Sequence, residues 1–218
     1  MADEGITPPH YEFSEKYDIE HARRYFHKHN TGFWRRLSTW REVGMARKAL
    51  AMAGRPRSVL DLPCGTGRFW SMLAEEKDRR IYVADNSQSM IDAGLELRPR
   101  DVVARIEKSF CCSAFATGLP DNFVDCVFSI RLLHHIEKSE DRIAMLKEFA
   151  RISSGTVIVS LWVDGNFRAW RSEINDARKA RVRGADRPRD RFVFRRAEIE
   201  RDFAAAGLEM IGHTDFIR

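Results

Sequence analysis

The chain has 218 residues, 44% hydrophobic and 32% charged, with a formal net charge of +5 and a mean hydropathy of −0.43. That length suits one domain with an elaborated edge and enough apolar residues for a real core. No run approaches the roughly 18 apolar residues of a membrane span, and the acidic opening Met1-Ala-Asp-Glu-Gly5 is unlike a secretory signal. Four cysteines, Cys64, Cys111, Cys112 and Cys126, show neither metal-ligand spacing nor disulfide density, which fits a reducing cytoplasm.

Residues 1–12, with Pro8 and Pro9, read as a disordered N-terminus. An aromatic, basic, amphipathic run follows to about Leu37, holding Tyr17, His21, Tyr25, Phe26, His29, Phe33 and Trp34. Asn30-Thr31-Gly32 breaks it, and Thr39 to Ala53 reads as the helix before the first strand. From there the pattern alternates: strand 59–62, helix 67–77, strand 80–84, helix 87–96, a weaker strand near 103–110, strand 124–130, helix 139–151 and strand 156–162. Such alternation predicts parallel βαβ units with right-handed connections. Arg195 to Ala206 reads as a helix closed by Gly207, and Leu208 to Ile217 as a last strand. Between Arg168 and Arg196, ten arginines and one lysine face four acids, a local excess of seven positive charges. The rest of the chain is therefore slightly acidic, at −2.

The chemistry concentrates in Ser58-Val-Leu-Asp-Leu-Pro-Cys-Gly-Thr-Gly-Arg-Phe69. A buried strand ends in Asp61, a glycine turn follows, and ligands of open α/β sheets bind at such carboxyl ends. Gly65 and Gly67 permit close backbone approach. Asp85 lies twenty positions after Gly65, the spacing at which a carboxylate meets a ribose diol. A dinucleotide turn would carry a third glycine where Trp70 stands, and no Gly-Lys-Ser/Thr follows to make a P-loop. Asp61 before the turn would repel a pyrophosphate but suits a ligand with an ammonium and a sulfonium.

On Asp61-Leu-Pro63-Cys64-Gly65-Thr-Gly67 the chain resembles class I S-adenosylmethionine-dependent methyltransferases, in their small-molecule, type 11 or UbiE-like group. Pro63 replaces the first glycine of the family's Asp-x-Gly-x-Gly-x-Gly. The resemblance, good over about 55–165, implies a Rossmann-like α/β fold: a mostly parallel central sheet, helices on both faces and an N-terminal helical cap. The implied layout is a cap over 13–53 and a cofactor-binding domain over 54–218, with a basic insertion at about 165–191. It also implies that Asn86 and Met90 pack the adenine, and that Ser113, in the place of the family's acid, recognises it with the Ala114 backbone. Ile130 and Arg131, where strand four ends, lie near the methionine moiety, and the planar fork of Arg131 suits a carboxylate. The family usually closes with one more antiparallel strand, so either the chain is truncated or its edge is finished differently.

Methyl transfer to an activated sulfonium rests mainly on alignment, so no catalytic residue is required by the chemistry. His134 and His135, in the Leu-His-His segment, are candidates for a general base; the plainer expectation is that one packs beneath the cleft and the other caps a helix. Tyr17, Tyr25, Trp162, Arg168 and Arg171 are candidates for substrate contact, and Cys111-Cys112 for an ordinary buried thiol pair. The expected cofactor is S-adenosylmethionine, leaving as S-adenosylhomocysteine, with no metal. The expected acceptor is a small molecule, anionic or lipid-linked. RNA or protein methylation and non-catalytic cofactor binding are the alternatives, nucleic acid being the less expected partner, in a monomer or homodimer.

Overall fold

The structure, a computed structural model, describes residues 33–164 and 192–215. The Asn30-Thr31-Gly32 break, most of the basic insertion, and the candidates Tyr17, Tyr25, Arg168 and Arg171 lie outside those residues.

Five strands form one parallel sheet: β1 (Ser58–Asp61), β2 (Arg80–Asp85), β3 (Ile106–Cys111), β4 (Val124–Ser129) and β5 (Ser153–Val159). Their order is β3-β2-β1-β4-β5, so the sheet reverses direction of growth between β1 and β4. All four β1 residues are buried, as expected for the central strand of a sheet covered on both faces. The period-2 alternation of strands sorts the core into two layers. Val59, Ile81, Val83, Cys126 and Phe128 pack with Phe69, Trp70, Leu73 and Ile91, against α1 (Phe33–Met52), α2 (Trp70–Leu73) and α3 (Gln88–Leu97). Leu60, Ala84 and Val127 pack on the other face with Leu133, Met145, Leu146 and Phe149, against α5 (Ser139–Ile152) and α6 (Arg196–Ala205). A short helix, α4 (Arg100–Val103), precedes β3. The Rossmann-like architecture is that of the expected fold.

Several element bounds differ from those expected. Helix α1 begins at Phe33, six residues before Thr39. The helix expected over 67–77 is only α2, because the left-handed Gly67 and its turn occupy the first residues. β5 begins at Ser153 and pairs with Val124, with a register shift before Cys126. No strand forms over Leu208–Asp215, which corrects the expected last strand as far as residue 215. Gly207 (φ 77) ends α6, Leu208 N–H bonds back to Phe203 O, and the chain then lies over α1. There a Cβ on Gly212 would stand 2.0 Å from Met52 Cε, and Ile211 is 69% exposed. The alternation of that segment therefore forms no ladder through residue 215.

At the amino ends of the strands, Asp125 Oδ2 accepts the N–H groups of Arg57 (2.9 Å) and Ser58 (2.8 Å), and Asp125 N–H donates to Ser58 Oγ. This reciprocal pair caps the entry to β4. Behind the other face, Arg142 on α5 is fully buried. It bonds Asp202 Oδ2 at 2.6 Å, pairs with Glu198 and lies 4.4 Å over the Phe194 ring. The pair therefore ties α6 and residues 192–194 to the sheet, where Phe194 and Val163 form a parallel bridge. Removing one partner strands the other charge in the core. Arg142→Leu is expected to cost about 3–5 kcal/mol, read as a lower urea midpoint than wild type.

Candidate cofactor-binding site

The site forms where the sheet changes direction. Leu62 N–H continues β1's pairing by donating to Phe128 O on the β4 side, while Cys64 N–H donates to Ala84 O on the β2 side. The turn between them, with a cis Leu62–Pro63 peptide, therefore crosses the top of three strands. Gly65 (φ 53) and Gly67 (φ 71) are both left-handed, where a side chain is strained. Gly67 is also hemmed in: a Cβ there would stand 2.3 Å from Trp70 Cδ2.

Asp85, at the end of β2, holds this turn from the side. Its Oδ2 accepts the Gly65 N–H at 2.8 Å and its Oδ1 the Ser87 N–H at 3.0 Å. Burial pushes its carboxyl up, against the pull of those backbone donors. Ser87 in turn caps α3, accepting the Met90 N–H, and Met90 Cε would stand 3.6 Å from a Cβ on Gly65. Asn86 is exposed and its carbonyl faces the Cys111 thiol. Thus Gly65, Asp85, Asn86 and Met90, separated in the chain, meet at one edge of the turn.

Asp61 is different. It is 1% exposed, and its Oδ2 has no hydrogen-bond partner. Burial, and then the Asp85 charge, push its carboxyl well above the usual carboxylate range. The indole of Trp70 is close enough to favour the charged form, yet its Nε1 is also buried without a hydrogen-bond partner. An unpaired buried acceptor is costly. Here it stands at the cleft, beside a backbone turn able to approach a ligand closely. Those carboxylate acceptors fit a nucleoside carrying an ammonium group, and give no support for a pyrophosphate.

Ser113 forms an isolated bridge with Ala116, and its Oγ accepts the Phe115 N–H at 3.2 Å. This loop is anchored by Glu148 on α5, which accepts both the N–H (2.8 Å) and the hydroxyl of Thr117. Ala114 is half-buried beside it. Cys112 N–H donates to Asp85 O at 3.0 Å, so the loop starts at the Asp85 end of β2. Cys111 is exposed and Cys112 half-buried, so they are not the buried thiol pair expected; β3 is an edge strand and its end faces solvent. Burial pushes the Cys112 thiol up to about 11.

On the other side of the turn, Ile130 and Arg131 leave β4. Arg131 is left-handed (φ 68), its N–H donates to Ser160 Oγ at 2.7 Å, and its guanidinium bonds Glu42 Oε1 at 2.6 Å. Glu42 Oε2 pairs with Arg68 at 2.8 Å, and Arg68 reaches Thr39 Oγ1 at 2.9 Å. Helix α1 is thereby tied to both sides of the cleft. Glu42, Thr39 and Arg68 were not singled out by sequence. Their separations of up to 89 residues leave no local signal. His134 is buried, with its ring stacked on Trp162 (centroids 5.1 Å, planes 3° apart) and 4.3 Å from His135. Trp162 is itself partly exposed. A cavity of about 390 Å³ lined by Gly54, Arg55, Asp125 and Thr156 lies at the opposite ends of the strands, away from this chemistry.

Residues 60–160 match the family model described as a methyltransferase domain. Over those residues the chain has the sequence of a methyltransferase domain. Among solved structures, the chain is similar to magnesium protoporphyrin IX methyltransferase from Synechocystis, which has SAH bound. The identity is 15%, the TM-score 0.61, and the match covers 81% of this chain and 78% of that one. It is also similar to an S-adenosylmethionine-dependent methyltransferase from Thermotoga maritima, at 18% identity and a TM-score of 0.58, over 91% and 80%. These likenesses bear on the fold. Among curated proteins, mouse tRNA (carboxymethyluridine(34)-5-O)-methyltransferase ALKBH8 is 26% identical over 160 residues, 72% of this chain. The chain spans about a fifth of the length of that relative and of its Xenopus tropicalis counterpart.

The raised carboxyl of Asp61 has a consequence for stability. A folded-state value above the unfolded one means that the folded protein holds its proton more tightly, so this group's contribution is lost as pH rises through the window above 3.8. At neutral pH, Asp61→Asn in the ligand-free protein is expected to raise Tm by a few degrees while weakening S-adenosylhomocysteine binding. Differential scanning calorimetry and titration with S-adenosylhomocysteine check the two halves.

Proposed function

We propose that this methyltransferase transfers the S-adenosylmethionine methyl group to a small anionic acceptor. The orphaned Asp61 carboxylate beside the Gly65–Gly67 turn is the observation that carries the cofactor end. Asp61 receives the ammonium, Pro63, Cys64, Gly65 and Gly67 supply the close backbone, and Asp85 receives the ribose diol. Asn86, Met90, Ser113 and Ala114 line the adenine side, with Ile130 and Arg131 at the methionine side. Bound there, S-adenosylmethionine supplies a methyl group already activated by its sulfonium. The protein's work is to align the acceptor and keep water out.

The anionic acceptor is supported by Arg131, whose left-handed backbone and Ser160 bond aim its guanidinium at the Glu42 side of the cleft, with Arg68 alongside. The basic run 168–196 adds long-range attraction for such an acceptor. A carboxylate or phosphate is already ionised and needs no general base, in keeping with the stacked, buried His134. We further propose that residues 13–53 act as a helical cap, held by Glu42, and 165–191 as a basic insertion. Free thiols at all four cysteines suit a reducing cytoplasm.

A second reading, in which the acceptor is a carboxymethyluridine of tRNA, is favoured by the relatives that carry that activity in their names. It shares the carboxylate chemistry. Transfer of labelled methyl from S-adenosylmethionine is measured on a panel of small carboxylates and phosphates and on bulk tRNA. Label on the small compounds supports the first reading, and nuclease-sensitive label on RNA replaces it with the second. Cofactor binding without transfer to any extract would mean a non-catalytic binding protein. Asp85→Asn is expected to weaken S-adenosylhomocysteine by about 10–100-fold, since charge-assisted hydrogen bonds are lost, as calorimetric titration reads. Arg131→Met is expected to raise the acceptor's KM about tenfold or more, as initial-rate kinetics read.

A further inference from the structure

Trp70 stands where a dinucleotide turn would carry its third glycine, and the fold has made room for it. The six-membered ring lies between two glycines: a Cβ on Gly67 would meet Cδ2 and Cε3 at 2.3 and 2.4 Å, and one on Gly94 would meet Cη2 at 2.6 Å. With that edge wedged under the turn and against α3, the side chain is held in one place, fully buried. Packing alone calls for a large flat ring, and a phenyl ring would supply much of it. The indole N–H is what packing does not explain. It is buried without a partner beside Asp61, whose Oδ2 is buried without a partner too.

We propose that Trp70 is a positioning residue for the cofactor: in the bound state its indole N–H donates to Asp61 Oδ2 while the ligand's ammonium engages the same carboxylate. The donor thus holds Asp61 ionised and oriented, through Asp61 and not by touching the ligand. The titratable neighbours make such a donor necessary. Asp85 on β2 and Cys64 in the turn both face Asp61, and either one, when ionised, opposes its charge. On β4, its register partner Phe128 is uncharged. Burial then leaves Asp61 protonated more readily than an ordinary carboxyl, and the nearby indole pulls the other way. Cofactor affinity is accordingly full above the ligand-free carboxyl's range and declines as pH falls through it, by up to about tenfold per pH unit. Loss of the N–H moves that decline to higher pH.

The test compares wild type with Trp70→Phe by calorimetric titration across pH, using S-adenosylhomocysteine and 5′-methylthioadenosine, which has no ammonium. The expected result is a loss of about tenfold or more for S-adenosylhomocysteine, with its acid limb shifted to higher pH, and roughly unchanged affinity for 5′-methylthioadenosine. Equal losses for both ligands would make Trp70 a packing residue only and overturn the proposal. So would an unchanged affinity and pH limb for S-adenosylhomocysteine. Should Trp70→Phe fail to fold, benzothienylalanine at position 70 keeps the shape and removes the N–H, and the same two ligands decide. A wild type that binds 5′-methylthioadenosine but not S-adenosylhomocysteine would overturn the assignment of Asp61 to the ammonium, and the proposal with it.

Discussion

Two carboxylates buried at the ends of adjacent strands are the constraint on which the rest of this fold depends. Asp61 and Asp85 close β1 and β2, both out of water, and the charge on one raises the other's proton affinity. Such an arrangement is unfavourable by itself. Asp85 offsets it by accepting two backbone N–H groups, which at the same time fixes the Gly65 turn and the start of α3. Asp61 has no such compensation in the ligand-free protein. The unpaired acceptor is left at the carboxyl end of β1, beside the glycine turn.

The sheet makes that concentration possible. Because β1 is central, covered on both faces and paired in parallel with β2 and β4, its carboxyl end opens between strands whose crossovers run in opposite directions. The glycine turn can then cross above three strands without a side chain in the way. Trp70 adds a second use of glycine. Gly67 and Gly94 clear a slot for the indole, which replaces the close helix–strand contact of a dinucleotide site with a buried ring. The chain's departure from the three-glycine pattern is therefore matched by a change in α3, and Gly94 lies 24 residues from the ring it accommodates.

Away from the turn, long-range ion pairs set the walls. Glu42 holds Arg68 and Arg131 from opposite sides of the cleft, and Arg142 holds α6 and the Phe194 bridge from behind. The first group is partly exposed and weakened by solvent. The second is enclosed, so its geometry is enforced by the cost of leaving Asp202 alone. The first tie is open to solvent, while the second fixes Phe194 against Val163, beyond the end of β5.

The alternation of apolar strands with amphipathic helices determined the parallel sheet, because a period of two and a period near 3.6 are local properties of the chain. The Asp61, Gly65, Gly67 and Asp85 spacing likewise determined the glycine turn at the carboxyl end of β1 and the acid beside it, since a turn and an acid twenty residues on describe one βαβ unit. What lay beyond a single unit was decided by tertiary structure. No periodicity pairs Glu42 with Arg131, or makes Gly94 the neighbour of Trp70. Nor did the alternation of Leu208–Ile217 create a strand through residue 215, where the chain lies over Met52 and forms no ladder. A strand is defined by its partner's hydrogen bonds, and a buried orphan by everything around it. Both are properties of the packed molecule, and local residue order specifies neither.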